Sequence, residues 1–334
     1  MKPPTLPLLA IVVPCYNEAS VLLQSNEQLL SLLALLEGKG RIGCRSFVLY
    51  VDDGSRDETW RLIAKCHRDS PRVMGLRLGS NAGQQNALMA GLQEANRNAD
   101  LVITLDADLQ DDLSAVEEML LRYEEGHDIV YGVRNARPHD SFWKKNTALL
   151  FYKLMTWMGI KTVFNHADYR LMSHRAISKL SEFRERNLFL RGIIPLLGYR
   201  ATSVYYSRNE RKAGESHYPI SRMVNLAVDG ITNFSVRPLR LITGIGFSFL
   251  FFSIIAVLYT LVRWASGNTV IGWASLMISI WFLSSAILIA LGTVGEYVGK
   301  IYTEVKHRPR YTVEQVLPFH PEEDASEDPL PPFS

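Results

Sequence analysis

The feature that most constrains the fold is a long stretch that carries almost no charge. Between residues 241 and 295 the only charged residue is Arg263, and apolar runs lie on both sides of it, at 241–262 and 269–295. Each run exceeds the roughly 20 residues that a helix needs to cross a bilayer. The stretch therefore predicts two transmembrane helices joined by the short turn "RWASGNT". A buried helical pair is the alternative, and the near absence of charge argues against it.

Basic residues flank both predicted spans. Two precede the first span and four follow the second: Arg237, Arg240, Lys300, Lys306, Arg308 and Arg310. By the positive-inside rule, both termini are expected on the cytoplasmic side. The chain is thus divided into an N-terminal domain (1–217), a juxtamembrane helix (218–238), the two spans (239–299) and a C-terminal tail (300–334). The last part of the tail, "HPEEDASEDPLPPFS", is acidic and proline-rich and is expected to be mobile.

The N-terminal "LPLLAIVVPCYNE" resembles a secretory signal only superficially. Its apolar run is short, and Pro14 stands where a small cleavage-site residue should be. We interpret "LLAIVVP" as a first buried strand. Further strands are predicted at "FVLYV", "VMGLRL", "LVITL" and "DIVYGV", with apolar-periodic helices between them. This alternation predicts an α/β domain with a mostly parallel sheet and helices on both faces.

Four polar clusters follow strands of this predicted sheet: "PCYNE", "DDGSRD", "GSNAGQQ" and "DADLQ". Ligands of such sheets bind at the carboxyl ends of the strands, so together the clusters favour a nucleotide site. Each has a structural alternative. Asp52 or Asp53 with Gly54 could form only a turn, and Asp57 could cap the next helix. Asn81 and Gly83 could likewise belong to an ordinary loop.

The segment "DADLQDD" ends a buried strand in carboxylates. If the chain stayed extended, Asp106, Asp108 and Gln110 would share one face, because alternate side chains of a strand point the same way. This row of oxygen donors predicts a site for a hard divalent cation.

Composition excludes several other classes. The net charge of +2 does not indicate nucleic-acid binding. The three cysteines have neither zinc-site nor disulfide-framework spacing, which favours a reducing compartment. The eight histidines show no metal-ligand pattern.

The ordered motifs "VVPCYNE", "VDDGSRDET", "SNAGQQNALMAG" and "DADLQ" resemble the family 2 glycosyltransferases, which have the GT-A (Rossmann-like) fold. The likeness is to the branch that loads a sugar onto polyprenyl phosphate, which includes dolichyl-phosphate mannose synthases and bactoprenol glucosyltransferases. It continues through "YGVR", "DYRLMS" and "RKAGESHYPISRMVNLAVDGITNFS" to the paired spans.

The resemblance implies roles for individual residues. Asp106, Asp108 and Gln110 match metal-binding positions, so the expected cofactor is Mg²⁺ or Mn²⁺. Arg134 matches a diphosphate contact, although an exposed strand-end arginine is the alternative. Asp168 matches a carboxylate near the acceptor, although a helix cap or a salt bridge is the alternative. The positions that hold the base and ribose are matched by Pro14, Tyr16, Glu18, Val51 and Asp53.

The expected acceptor is a lipid phosphate, and the loop "RNERKAGESHY" is suited to closing over it. Its acceptor-binding residues are expected to be Arg208, Arg211, Lys212, Ser216 and His217. His217 stands where the family usually has lysine, and a hydrogen bond within the loop is its alternative role. The next segment, "PISRMVNLAVDGITNFS", has helical apolar spacing. It suits a helix at the membrane surface or one packed on the sheet.

We therefore expect an inverting, metal-dependent enzyme of the bacterial inner membrane. Its leading substrates are UDP-glucose and undecaprenyl phosphate, and its product would serve modification of cell-envelope glycans such as O-antigen. Mannose, N-acetylhexosamine and aminoarabinose donors are alternatives. A processive synthase would carry Q-x-x-R-W, whereas the only R-W here, Arg263-Trp264, follows Thr260. A non-catalytic nucleotide-sugar-binding membrane partner is a rival of another class. Association of several chains is left open.

Overall fold

The computed structural model describes residues 6–134, 166–183, 185, 188–206, 237–266 and 272–318. These residues fall into two compact units. One unit holds a sheet with the helices that cover it, and the other contains two long helices. Each unit is described separately.

The elements of the first unit begin with the predicted alternation. The strands are β1 (Leu9–Cys15), β2 (Phe47–Asp52), β3 (Val73–Leu78), β4 (Leu101–Thr104), β5 (Ile129–Arg134), β6 (His166–Ser173), β7 (Ala201–Tyr206) and β8 (Val313–Leu317). The helices are α1 (Leu22–Gly38), α2 (Thr59–Asp69), α3 (Gln84–Ala95), α4 (Ala115–Glu124), α5 (His174–Ser181) and α6 (Leu190–Ile193). The expected elements from β1 through β5 are confirmed to within a few residues.

The sheet has the strand order β7-β5-β6-β4-β1-β2-β3-β8. β1 pairs in parallel with β2 and β4, β2 with β3, and β5 with β7. β6 runs antiparallel between β4 and β5, and β8 runs antiparallel along β3. The expected mostly parallel α/β sheet is therefore confirmed, and the sequence reading missed its two reversed strands.

The core lies between the sheet and the helices. β1 and β2 are buried almost throughout, as the continuous apolar runs predict. α3 packs closely on these strands because it presents Gly91, where a Cβ would lie 2.5 Å from Val12 Cγ1 and 2.7 Å from Val51 Cγ2. This close packing fixes the first turn of α3 relative to the ends of β1 and β2.

The edge strand β8 lies in the segment assigned above to the C-terminal tail. It covers the free edge of β3, with Val316 opposite Leu76, and Gly79 N–H donates to the Thr312 carbonyl at 2.8 Å. Tyr311 adds a hydrogen bond to Gln93 at 2.5 Å. An exposed strand edge invites aggregation, so this segment protects the sheet.

The second unit contains α7 (Arg237–Ala265) and α8 (Trp273–Val305), which contact each other. α7 extends beyond the predicted span 241–262 at both ends, whereas α8 begins four residues inside the predicted span 269–295 and continues ten residues past its end. Large apolar side chains such as Phe247, Phe251 and Leu291 are exposed along them. Among the described residues, one helical segment is long and apolar enough to cross a bilayer, the 24 residues Phe282–Val305. The predicted two-span hairpin is therefore not confirmed.

Candidate active site

The carboxyl ends of β1, β2 and β4 meet at one edge of the sheet. Cys15 lies opposite Asp52, and Val12 lies opposite Thr104, so the loops after these strands are neighbours. The motifs "CYNE", "DDGSRD" and "DADLQ" occupy these loops. The sequence prediction that separate polar clusters would converge on one edge is confirmed for these loops.

The loops after β1 and β2 are held to each other by side chains. Asn17, which adopts φ 57°, accepts from Arg56 N–H at 2.9 Å, and its own N–H donates to Ser55 Oγ at 2.9 Å. Glu18 N–H donates to Thr59 Oγ1 at 2.9 Å. Asp57 accepts from the N–H and the hydroxyl of Thr59, the first residue of α2, but the N-cap position considered for it above is held by Glu58. The loop carrying Tyr16 and Glu18 is thereby fixed above the sheet edge.

Asp53 connects β2 to the loop after β3. It is 3% exposed, and its two carboxylate oxygens accept from Ala82 N–H at 2.7 Å and from Gly83 N–H at 3.0 Å. Burial raises the pKa of Asp53, and the two N–H groups oppose the shift. Of the other predicted base and ribose residues, Val51 is buried, Pro14 is half-buried and Tyr16 is exposed. The arrangement leaves an exposed aromatic ring near a carboxylate that organises two loops.

The acidic segment after β4 is not an extended row. β4 ends at Thr104, the chain turns at residues 107–108, and Leu109 has a φ of 44°. The premise of strand alternation is therefore wrong here, because a left-handed residue redirects the backbone. The turn still keeps the donors close: Gln110 Nε2 donates to Asp108 Oδ2 at 2.5 Å. Ser25 Oγ anchors the turn by donating to the Ala107 carbonyl at 2.7 Å.

Negative charge accumulates at this turn. Burial raises the pKa of Asp106 to about 6; nearby carboxylates add to the shift, and Arg134 opposes it. Burial, together with the charges of Asp108 and Asp57, also raises the pKa of Glu18. These carboxylates repel one another as the site stands, so a bound cation would stabilise their ionised forms.

These side chains alone would supply only some of the ligands that a divalent cation needs. Among the described residues, no group of three or more His, Cys, Asp or Glu side chains is arranged to hold a metal ion. Mg²⁺ is commonly bound by one or two carboxylates together with substrate phosphates and water. Asp106 and Asp108, with the Gln110 amide beside them, match that incomplete protein shell. The residues present therefore fit a cation that arrives with a diphosphate.

Arg134, at the end of β5, lies beside the same turn. Its Nη2 is 3.0 Å from Asp111 Oδ1, and its Nε is 3.3 Å from the Tyr206 hydroxyl. Tyr206 donates to Asp111 Oδ1 at 2.7 Å, and Asp111 is 3% exposed. Arg134 is thus a half-buried cation held by a carboxylate from one loop and a phenol from another strand. An exposed strand-end arginine is not what the structure shows.

Asp168, on β6, lies next to the end of β4, since Thr104 Oγ1 donates to its carbonyl and Thr104 pairs with Arg170 across the two strands. Its carboxylate forms ion pairs with Arg170 and Arg191. The salt-bridge alternative given above is therefore observed.

Several predicted residues lie outside the described part of the chain. They are the acceptor-loop residues Arg208, Arg211, Lys212, Ser216 and His217, together with most of the juxtamembrane segment. Their assignments remain predictions.

The sequence reading missed four residues that shape the site: Asp111, Tyr206, Arg170 and Arg191. Asp111 was visible within "DADLQDD", but its partners are 23 and 95 residues away along the chain. No local spacing indicates such pairs. Arg170 could have been identified from its place among the apolar residues of "DYRLM", because a buried cation requires a partner.

The comparison with known proteins shows which family this chain belongs to. The family model "Glycosyl transferase family 2" matches residues 10–181. The chain belongs to this family. "Uncharacterized glycosyltransferase YkoT" of Bacillus subtilis (strain 168) is 47% identical over 308 residues, which cover 92% of this chain and 91% of the relative. "Bactoprenol glucosyl transferase" of Shigella phage SfV is 39% identical over 274 residues, covering 80% and 87%.

A solved structure shares a distant likeness with this family 2 glycosyltransferase. Glucosyl-3-phosphoglycerate synthase from Mycobacterium tuberculosis, crystallised with Mn²⁺, UDP and glucosyl-3-phosphoglycerate, is 14% identical, with a TM-score of 0.42. The match covers 68% of this chain and 78% of that chain.

Proposed function

We propose that this family 2 glycosyltransferase moves a sugar, glucose from UDP-glucose, onto undecaprenyl phosphate. The observation that carries the proposal is the 39% identity to a bactoprenol glucosyl transferase over 80% of this chain and 87% of that relative. The match extends well beyond the 172 residues of the family model, from 10 to 181. The likeness therefore includes parts of the chain outside the family's shared domain.

The donor would bind at the carboxyl ends of β1, β2 and β4. Tyr16 offers an exposed ring for the base, and Asp53 fixes the neighbouring loop. Asp106, Asp108 and Gln110 would hold Mg²⁺ or Mn²⁺. The bound cation would neutralise the diphosphate as it departs. Arg134, held by Asp111, would add a second positive charge to the leaving group.

The reaction needs no basic residue to activate the acceptor. A phosphate monoester is already largely ionised near neutral pH. One of its oxygens attacks the anomeric carbon, the bond from that carbon to the diphosphate oxygen breaks, and UDP departs with the electron pair. A single displacement inverts the anomeric centre. The protein then contributes chiefly positioning and charge stabilisation.

A lipid acceptor requires membrane attachment. The exposed apolar side chains of α7 and α8 suit acyl chains rather than water, and Phe282–Val305 is long enough to span a bilayer. We propose that both helices span the inner membrane, with both termini cytoplasmic, where nucleotide-sugars are made. Arg208, Arg211, Lys212, Ser216 and His217 would then close over the lipid phosphate, and residues 218–238 would lie at the membrane surface.

Two alternatives make different experimental predictions. Another donor, such as a mannose, N-acetylhexosamine or aminoarabinose nucleotide, would leave the acceptor unchanged. A non-catalytic membrane partner would bind nucleotide-sugar without consuming it. Binding of UDP with metal does not separate catalysis from binding, whereas UDP release that depends on lipid phosphate does.

The deciding experiment uses the full chain purified in detergent. A panel of nucleotide-sugars is incubated with undecaprenyl phosphate and either Mg²⁺ or Mn²⁺, and the lipid product is identified by mass. We expect a hexosyl-phosphate lipid and equimolar UDP from UDP-glucose alone. Undecaprenol, which lacks the phosphate, is the control acceptor. Absence of product from every donor would reject the proposal, and product from another donor would correct the sugar.

A further inference from the structure

The carboxylate of Asp168 is shared by two arginines. Arg170 Nη2 donates to Oδ1, while Arg191 approaches both oxygens, with Nε 3.3 Å from Oδ1 and Nη2 3.3 Å from Oδ2. Asp168 itself is 8% exposed. The two nitrogens of Arg191 therefore meet the carboxylate in the side-by-side geometry that fixes the orientation of a guanidinium group.

The two arginines differ in exposure. Arg170 is 1% exposed, whereas 42% of the Arg191 side chain is accessible. Burial lowers the pKa of Arg170, but a guanidinium remains protonated at physiological pH. One buried carboxylate is thus matched by one buried cation. Arg191 presents its outer edge to solvent.

Arg191 is also tied to the candidate active site through the first turn of α3. Gln85 Oε1 accepts from Leu190 N–H at 3.2 Å, at the start of the short helix that carries Arg191. The adjacent Gln84 donates to Asp106 Oδ1 at 3.1 Å. One turn of α3 therefore contacts both the acidic turn after β4 and the helix that carries Arg191.

The site brings carboxylates and guanidinium groups close together. Asp108 repels both Glu18 and Asp106, and a cation would relieve this repulsion. Around Asp168 two guanidinium groups meet one carboxylate, and Asp106 is close enough to interact electrostatically with both Asp168 and Arg170. The exposed guanidinium edge of Arg191 suits the oxygens of a phosphate.

We propose that Arg191, oriented by Asp168, binds phosphate oxygens of a substrate, and that this substrate is the phosphate-bearing acceptor. This inference rests on the proposed function, since that function supplies a phosphate monoester. Asp168 is a positioning residue in this assignment, because its oxygens are already occupied by guanidinium donors. The donor diphosphate also presents phosphate oxygens, so the experiment below distinguishes binding of the acceptor phosphate from binding of the donor diphosphate.

A purely structural role for Arg191 is the competing explanation. The exposure of Arg191 argues against it, because a partner that only stabilised the buried Asp168 would not need a solvent-accessible outer edge. A matched control is available in Arg175, which pairs with the buried Asp128 elsewhere in the unit. Removing Arg175 also takes an exposed arginine from a buried aspartate, but no active-site group contacts that pair among the described residues.

The experiment compares Arg191→Met, Arg191→Lys and Arg175→Met in the full chain. The apparent KM for undecaprenyl phosphate, the Kd for UDP with Mn²⁺ and the melting temperature are measured for each. We expect Arg191→Met to raise the lipid-phosphate KM at least about 10-fold, because it removes a charge-assisted hydrogen bond. Its UDP Kd should stay within about twofold, and Arg191→Lys should recover part of the loss. Arg175→Met should leave KM unchanged.

Two results would overturn the assignment. An equal loss of UDP affinity in Arg191→Met would place Arg191 on the donor diphosphate. Unchanged KM and Kd, with only a lower melting temperature, would leave Arg191 structural.

A binding measurement separates this inference from the proposed function. Farnesyl phosphate is titrated into the protein loaded with UDP and Mn²⁺, with farnesol as the control ligand. If the natural protein forms no glycolipid but binds farnesyl phosphate through Arg191, the proposed function fails and the phosphate site stands. If the natural protein forms glycolipid and Arg191→Met behaves normally in both assays, only the inference fails.

Discussion

Arg134 and Asp111 form an ion pair at the carboxyl end of β5, with Arg134 Nη2 3.0 Å from Asp111 Oδ1. The hydroxyl of Tyr206 donates to the same oxygen at 2.7 Å. The guanidinium is therefore oriented before any substrate binds. Such preorganisation is the main means by which a charged group stabilises a departing diphosphate.

The first prediction concerns this pair. Asp111→Asn should lower kcat/KM for the donor by on the order of 10- to 100-fold, because a hydrogen bond to a charged group is worth roughly 1.5–3 kcal/mol. Tyr206→Phe keeps the ion pair and should cost less. Steady-state kinetics at saturating acceptor measure both, and melting temperatures show that the variants are folded. Normal kinetics in folded Asp111→Asn would mean that Arg134 does not act on the donor.

Much of the sheet was predictable because its signal is local. β1 to β5 are short apolar runs separated by periodic helices, and burial of both faces of a strand requires such runs. β6 escaped prediction because the buried Arg170 interrupts its apolar pattern. β8 escaped it because the partner strand β3 lies more than 200 residues earlier in the chain.

The candidate site was predictable in location and less so in geometry. Polar clusters after parallel strands must converge at one edge, so the carboxylates near Asp106 were identified correctly as neighbours. The prediction that Asp106, Asp108 and Gln110 share one face of an extended segment was wrong, because Leu109 adopts a left-handed conformation. Such a conformation is uncommon for a residue other than glycine, so the sequence provided no reason to expect it there. Pairs such as Arg191 with Asp168 depend on tertiary contacts and have no local pattern.

The second prediction tests the metal residues. Asp108→Asn should lower kcat by on the order of 10²–10³, because it removes a negative charge that would hold the cation against the leaving diphosphate. Gln110→Ala should be milder, since a neutral ligand contributes less. Asp112→Asn is the matched control, because Asp112 Oδ1 accepts from Ser114 N–H at 2.9 Å and asparagine keeps that bond. Normal turnover by Asp108→Asn with metal present would show that the metal assignment is wrong.

The third prediction concerns Gly54, which has a φ of +68°. A Cβ there would lie 2.7 Å from Asn81 N and 2.7 Å from the Ser80 carbonyl carbon, in the loop that Asp53 holds. Gly54→Ala should displace this loop and weaken UDP binding about 10-fold or more, in addition to a backbone strain of roughly 1–3 kcal/mol. Calorimetry with UDP and Mn²⁺ measures the effect.

Gly40→Ala is the control for Gly54. Gly40 has a similar φ of +64°, and no atom lies within 4 Å of its Cβ position. It should lose stability through backbone strain alone and bind UDP normally. Equal UDP affinities in the two variants would show that the loop after β3 does not contribute to binding the donor.

The fourth prediction follows from Asp128, which is 3% exposed. Burial alone would raise its pKa, but hydrogen bonds from Arg175 and Ser173 outweigh burial and lower the pKa below its ordinary value. The lowered pKa stabilises the fold above the unfolded carboxyl pKa of ~3.9, and this stabilisation is lost as pH falls through the folded value.

Arg175→Met should therefore lower the free energy of unfolding at pH 7, by a modest amount because Arg175 is largely exposed. The difference in melting temperature from the natural protein should shrink between pH 7 and pH 3. Arg122→Met, which removes an arginine paired with exposed glutamates, is the control and should show little difference at either pH. A gap for Arg175→Met that stays constant with pH would contradict the assignment.

The last prediction tests the membrane topology with a thiol that the chain already contains. Cys44 is exposed on the first unit, whereas Cys15 and Cys66 are buried. If everything before residue 241 is cytoplasmic and the turn near 268 is outside, a membrane-impermeant maleimide should label Asn268→Cys in intact cells. Cys44 should react only after permeabilisation, and so should a cysteine placed at Ser20.

The two thiols distinguish the possible topologies because they lie on opposite sides of the first predicted span. In the double variant Asn268→Cys/Cys44→Ser, maleimide labelling reports on position 268 alone. In the natural protein, labelling reports on Cys44 alone. Labelling of Cys44 in intact cells would place the catalytic unit outside, where nucleotide-sugars are scarce. If both thiols are protected until permeabilisation, α7 and α8 do not both cross the bilayer, and Phe282–Val305 remains the candidate for a single span.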